Sequence, residues 1–160
     1  MSSGIRIDVD DLAAAVKNVP FVVAVKCESP PTSPTIARLR ALIPTVPMFG
    51  GLGGVGLLDE LCAGAAGAMT GFSYPEALVS VVRAWRDHGF AAARAAIAPW
   101  LPLMNFEGQA GVGLGILKEN PRRHGWLASA AVRPPGIGLP EELRESVAQL
   151  LATLPAGARS

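Results

Sequence analysis

The sequence predicts an α/β protein in which short parallel strands alternate with helices. Three short apolar runs, at residues 21–25, 46–49 and 67–70, recur at roughly 20 to 25 residue intervals. A segment with helical character separates each run from the next, which is the β-α-β-α-β order of a parallel sheet. After the third run the strand pattern stops, and the rest of the chain is predicted to be helical.

The helices on either side of the first two runs follow from composition and spacing. Residues 8–17 are predicted to form a helix that acidic residues open, and it leads into the first strand. Apolar residues recur at helical spacing in 33–42 and again in 55–63, which predicts one helix after each of the first two strands.

The second half of the chain is predicted to contain four helices, at 75–88, 90–104, 109–124 and 140–154. Pro75 and Pro140 stand where a proline is tolerated in a first helical turn. Gly89 and Gly125 stand just past predicted helix ends, where glycine is common.

Length, charge and cysteine content restrict the class of protein. The chain has 160 residues, of which half are apolar, so one ordinary domain is expected. Its 14 basic and 13 acidic residues nearly cancel and form no basic stripe, which argues against nucleic acid or a membrane surface as the partner. Cys27 and Cys62 are expected to be reduced thiols of a cytoplasmic protein. The apolar stretches are too short or too rich in glycine and alanine to span a bilayer.

Lys26 is the most informative residue, because it ends the first apolar run. Strand alternation predicts two faces, one with Val22, Ala24 and Lys26, and the other with Phe21, Val23, Val25 and Cys27. A lysine at the carboxyl end of a buried parallel strand lies where barrels and open sheets place their sites, and burial there would lower its pKa so that the neutral amine attacks a carbonyl. Spacing alone also allows a lysine that merely extends into water.

Three segments in order resemble a known enzyme family. Residues 18–29 read NVPFVVAVKCES, residues 46–51 read VPMFGG, and residues 61–71 read LCAGAAGAMTG. They resemble the sixth, seventh and eighth strands of the dihydrodipicolinate synthase / N-acetylneuraminate lyase family. The similarity continues through 74–76, 101–103 and 131–135, so it covers nearly the whole chain.

The resemblance implies part of a TIM-type (β/α)8 barrel, with about strands six to eight and the carboxy-terminal helices. A closed barrel needs eight strands and about 250 residues, so the earlier strands would lie outside this chain. Residues 1–74 would form the barrel units, and 75–160 the last barrel helix and a helical extension of the same domain. A complete three-stranded domain is the alternative.

The resemblance also implies the site and the chemistry. Lys26 would form a Schiff base with pyruvate or a related 2-oxo acid, and Gly50, Met69 and Thr70 would border that substrate; no cofactor and no metal are expected. The family's carboxylate-binding Gly-Thr-Thr segment and its catalytic tyrosine have no counterpart here. Function is therefore either that of a lyase or synthase, or that of a non-catalytic half-barrel that binds or oligomerises. Partners are expected to be a second copy or the missing amino-terminal half.

Other motifs allow weaker interpretations. Residues 51–56 satisfy the G-x-G-x-x-G pattern of a dinucleotide loop, but the next strand ends without the acidic residue that such a site needs. His88 and His124 lack neighbours at metal-ligand spacing and are predicted to be exposed helix ends. Glu107 and Gln109 are predicted to be surface loop residues.

Overall fold

A three-stranded parallel sheet forms the centre of the first half of the protein. The structure, a computed structural model, describes residues 7–155. The strands are β1 (Val25–Lys26), β2 (Met48–Gly50) and β3 (Gly67–Ala68), in the order β1-β2-β3. Lys26 pairs with Phe49, and Phe49 pairs with Gly67. The predicted order of parallel strands is confirmed.

Helices connect the strands as the spacing predicts. They are α1 (Val9–Lys17), α2 (Thr32–Leu42) and α3 (Leu57–Cys62), and a 3₁₀ turn at Leu52–Gly54 precedes α3. Asp8 caps α1 by accepting a hydrogen bond of 2.8 Å from the Asp10 amide, which satisfies one of the free amides of the first turn.

Within residues 7–155, five α-helices follow the sheet: α4 (Pro75–His88), α5 (Phe90–Ile97), α6 (Leu101–Glu107), α7 (Gly113–Arg123) and α8 (Arg144–Ala152). The prediction of one helix over 90–104 is wrong, because the helix is interrupted between α5 and α6. Pro99 explains the break, since it has no amide to donate and its ring crowds the preceding turn. Gly89 and Gly125 adopt φ of 76° and 74°, as expected of glycines that end helices.

Two groups of buried apolar side chains hold these elements together. Ile36, Leu39 and Met48 belong to the first, which lies between the sheet and the helices α1 and α2. The second joins α3 to α4, α5 and α6, and Val81 and Met104 in it are completely buried. The helical second half is therefore packed on the helix that follows β2.

The first apolar run is a much shorter strand than the sequence predicts. Phe21 and Val23 precede β1, and their exposed fractions are 82% and 81%. The prediction that they lie on one strand face with Val25 and Cys27 is wrong, because β1 begins only at Val25. None of the described helices is both long enough and apolar enough to cross a membrane.

Candidate functional site

The carboxyl ends of the three strands bring the candidate residues to one edge of the sheet. Lys26, Phe49 and Gly67 are paired across the strands, so their side-chain positions share one face. Two residues further along, Glu28 lies over Gly51: a Cβ on Gly51 would be 2.4 Å from Glu28 Cγ. We name this face the inner face.

Lys26 forms an ion pair with Glu28 on the inner face. The distance from Lys26 Nζ to Glu28 Oε1 is 3.0 Å, and the two side chains are 35% and 48% exposed. Both line a cavity of about 200 Å³ between α1 and the end of β1, together with Leu12 and Thr35. The expected burial of Lys26 is therefore not found within residues 7–155, because the cavity beside it is open.

Cys27 and Glu60 lie on the other face of the sheet, toward the helices. Both are buried. Burial raises the pKa of Glu60, and the neighbouring Thr32 side chain and Gly51 amide partly oppose this rise. Burial, and secondarily the nearby Glu60 carboxylate, raises the pKa of the Cys27 thiol.

The structure gives a reason for glycine at position 50 that the sequence does not reveal. A Cβ on Gly50 would lie 1.6 Å from Glu60 Oε2, on the helix side of the sheet. The missing side chain at this position thus makes room for a buried glutamate, whereas the sequence suggested that it makes room for the substrate.

Met69 and Thr70 follow β3, and their side chains lie in different environments. The Met69 side chain is 54% exposed, and alternation along the strand puts it on the inner face, in line with Gly67. Thr70 Oγ1 accepts a hydrogen bond of 2.7 Å from the Gly53 amide. Thr70 therefore anchors the glycine-rich turn after β2, and an amide that a nucleotide-binding loop would direct at phosphate is already used.

A second polar group lies where the loop after β3 meets α6 and α7. Glu107 is buried, so its prediction as a surface residue is wrong; it accepts hydrogen bonds from the Ser73 amide at 3.1 Å and from Asn120 Nδ2 at 2.8 Å. Burial raises the pKa of Glu107. Burial, together with the charge of Glu107, raises the pKa of Tyr74 to about 12.

His124 is only half-exposed, contrary to the prediction of an exposed helix end. Its Nε2 lies 2.9 Å from the Tyr74 hydroxyl, and its ring stacks on Trp126 with centroids 4.7 Å apart. Among residues 7–155 no group of three or more His, Cys, Asp or Glu side chains could hold a metal ion.

The structure adds two acids to the residues that the sequence singles out. Glu28 could have been found, because it stands two positions after Lys26 and alternation puts both on one face. Glu60 could not, since nothing in the spacing of α3 indicates that this glutamate turns toward Gly50.

The sequence of the chain is similar to that of a known enzyme. The chain is 32% identical over 156 residues to L-2-keto-3-deoxyarabonate dehydratase of Azospirillum brasilense, which covers 94% of this chain and 48% of that enzyme. No protein-family model matches the chain.

Two solved structures share both fold and sequence with this chain. Dihydrodipicolinate synthase from Rhodopseudomonas palustris is 33% identical with a TM-score of 0.87, and the match covers 92% of this chain and 51% of that one. A putative dihydrodipicolinate synthetase from Pseudomonas aeruginosa is 25% identical with a TM-score of 0.81, over 96% of this chain and 53% of that one. The chain thus spans about half the length of the relatives it matches.

Proposed function

Because the chain belongs to the dihydrodipicolinate synthase family, we propose that it is the part of a lyase barrel that carries the Schiff-base lysine. In this assignment β1, β2 and β3 are the sixth, seventh and eighth strands of a (β/α)8 barrel, and the inner face is the barrel interior. Lys26 forms an imine with a 2-oxo acid, of which pyruvate is the smallest.

The observation that carries this proposal is the position of Lys26 beside Glu28. The amine stands at the carboxyl end of a parallel strand, the end at which barrel enzymes place their chemistry. Its nitrogen is 3.0 Å from a carboxylate oxygen, which is within reach of direct proton transfer.

The chemistry uses both side chains. Glu28 accepts a proton from the Lys26 ammonium, and the neutral amine attacks the keto carbon to form a carbinolamine. The protonated Glu28 returns its proton to the carbinolamine hydroxyl, which leaves as water, so an iminium remains on Lys26. Loss of a proton from the carbon next to the iminium gives an enamine, which can expel a hydroxyl group from the following carbon. Cleavage of the C–C bond between these two carbons gives the same enamine, as the hydroxyl on the following carbon loses its proton and becomes a carbonyl.

In this assignment the ends of β2 and β3 border the iminium. Met69 has an exposed side chain that alternation puts on the inner face, and Gly50 ends the neighbouring strand β2. Thr70 holds the glycine turn through Gly53. We assign Met69, Thr70 and Gly50 to the substrate contact on this basis, with Gly50 contributing backbone only.

Reduction of the imine tests this function directly. The chain is incubated with pyruvate and cyanoborohydride, and intact-mass spectrometry measures the adduct. A stable adduct on Lys26 supports the lyase function. A chain that gains no mass, even when a polypeptide with the remaining barrel strands is added, favours the second candidate function, that of a non-catalytic module.

The exposed residues before β1 suggest how the remaining strands associate with this chain. Phe21 and Val23 are largely exposed, and a groove of about 560 Å³ next to them is lined by Val16, Val22 and Val46, among others. Unpaired strand edges with apolar surface favour association. We infer that further strands, from a longer polypeptide or a separate one, cover this edge.

We therefore expect the chain by itself to form dimers or larger species, because this apolar edge is open. Size-exclusion chromatography with light scattering measures the mass. Replacing Phe21 and Val23 together by serine should shift the population toward monomer, whereas Val79→Ser, on the exposed side of α4, should not. A wild-type monomer with a sharp melting transition would contradict the open-barrel assignment.

A further inference from the structure

Two successive glycines at the end of β2, Gly50 and Gly51, lie between two glutamates on opposite faces of the sheet. A Cβ on Gly50 would lie 1.6 Å from Glu60 Oε2, and a Cβ on Gly51 would lie 2.4 Å from Glu28 Cγ. A side chain at either position would require the neighbouring glutamate to move. The turn is therefore in contact with Glu60 on its helix side and with Glu28 on its inner side.

Glu60 is more deeply buried than Glu28, which lies on the other side of the turn. Its exposed fraction is 1%, and its carboxyl lies beside the Thr32 side chain at the start of α2 and the Gly51 amide, both of which favour its charged form. Its Oε2 has no hydrogen-bond partner in the part of the chain that the structure describes. Burying a carboxyl group in this way costs free energy, so its presence calls for a specific reason.

We propose that Glu60 is a positioning residue for the Lys26 chemistry. Through the Gly51 amide it fixes the turn, and the fixed turn holds Glu28 at its distance from the Lys26 amine. This inference rests on the proposed function of Lys26, and Glu60 itself touches neither substrate nor amine.

The contacts explain why an acid at this position is useful. The Glu28 side chain is about half exposed, and a long exposed side chain samples several rotamers unless packing restricts it. Gly51 is the surface against which Glu28 packs. An apolar residue at position 60 could fill the same volume, but it could not accept the Gly51 amide, so the turn and the Glu28 packing surface would shift.

A double-mutant cycle on imine formation tests this coupling. The variants are Glu60→Leu, Glu28→Gln and the pair, with Glu60→Gln as the matched control that keeps an acceptor for the Gly51 amide. We expect Glu60→Leu to slow trapping of pyruvate on Lys26 by roughly tenfold, less than the 10² to 10⁴ that a general acid-base group contributes. In the Glu28→Gln background it should slow trapping by less than about twofold, because interacting sites are not additive. Glu60→Gln should stay close to wild type.

The pH profile separates positioning from simple structural support. Glu60→Leu should change the pH dependence of trapping in the same direction as Glu28→Gln does. If Glu60→Leu slows trapping equally in both backgrounds and leaves the pH profile unchanged, Glu60 only supports the fold and the proposal is wrong. If Glu60→Leu is insoluble, Thr32→Val, which removes the hydroxyl group beside Glu60, replaces it in the same cycle.

A measurement without pyruvate distinguishes failure of this inference from failure of the proposed function. Reductive methylation with formaldehyde labels the three lysines of the chain, Lys17, Lys26 and Lys118, and peptide mapping gives the rate at each. If Glu60 positions Glu28, Glu60→Leu changes the rate at Lys26 relative to Lys17, and Glu28→Gln removes that change. An unchanged ratio overturns the inference even if pyruvate still forms an imine.

Discussion

Lys26→Ala should abolish the reducible adduct with pyruvate, while Lys17→Ala and Lys118→Ala should leave it intact. The chain contains three lysines, and only Lys26 stands at the end of a parallel strand with a carboxylate 3.0 Å away. Loss of the nucleophile leaves no second amine in this position, so trapping should fall to the level of a no-pyruvate control. Intact mass followed by peptide mapping measures this.

The rate of trapping in the wild type should depend on the rest of the barrel. The Lys26 side chain is 35% exposed, and water around an open site stabilises charged groups and hydrolyses imines. We expect slow trapping in this chain alone and fast trapping after a fragment with the remaining strands is added. An adduct found on Lys17 or Lys118, or one of equal yield in Lys26→Ala, would sink the Schiff-base assignment.

Gly50→Val should unfold or strongly destabilise the protein. The new Cβ would lie 1.6 Å from a buried carboxylate oxygen, so the buried Glu60 side chain would have to shift. Overpacking predicts a decrease of roughly 1 to 3 kcal/mol or more in the free energy of unfolding. Thermal or urea denaturation followed by circular dichroism measures the loss.

Gly138→Ala is the matched control, because no heavy atom lies within 4 Å of a Cβ at that position. It should change stability by less than about 0.5 kcal/mol. The double variant with Gly50→Ala and Glu60→Ala should be more stable than the sum of the single effects predicts, since the second change removes the clash. A Gly50→Val protein of unchanged stability that only loses ligand would show that the glycine faces the substrate instead.

The sequence contains enough information for the strand order and for the reactive end of β1. The apolar runs and helical spacings predict parallel strands without long-range knowledge, because both patterns arise from local geometry. The Lys26 position follows from the same local rule, and so does Glu28, two residues later on the same face.

The sequence analysis missed one feature that has a local cause and another that depends on packing across the chain. The two helices that replace the predicted one over 90–104 follow from Pro99 and could have been predicted locally. The burial of Glu107 could not, because it depends on Ser73 and Asn120, which are 34 and 13 residues away from it.

The sequence by itself thus determined a parallel α/β arrangement with a lysine at a strand end, since alternation and helical spacing are properties of neighbouring residues. Only the tertiary structure decided why Gly50 and Gly51 are glycines: Glu60 and Glu28 approach them from helix α3 and from the end of β1. It also decided that Lys26 is partly open to water. The approach of a distant side chain to the backbone is fixed by three-dimensional packing, and no local pattern of residue types records it.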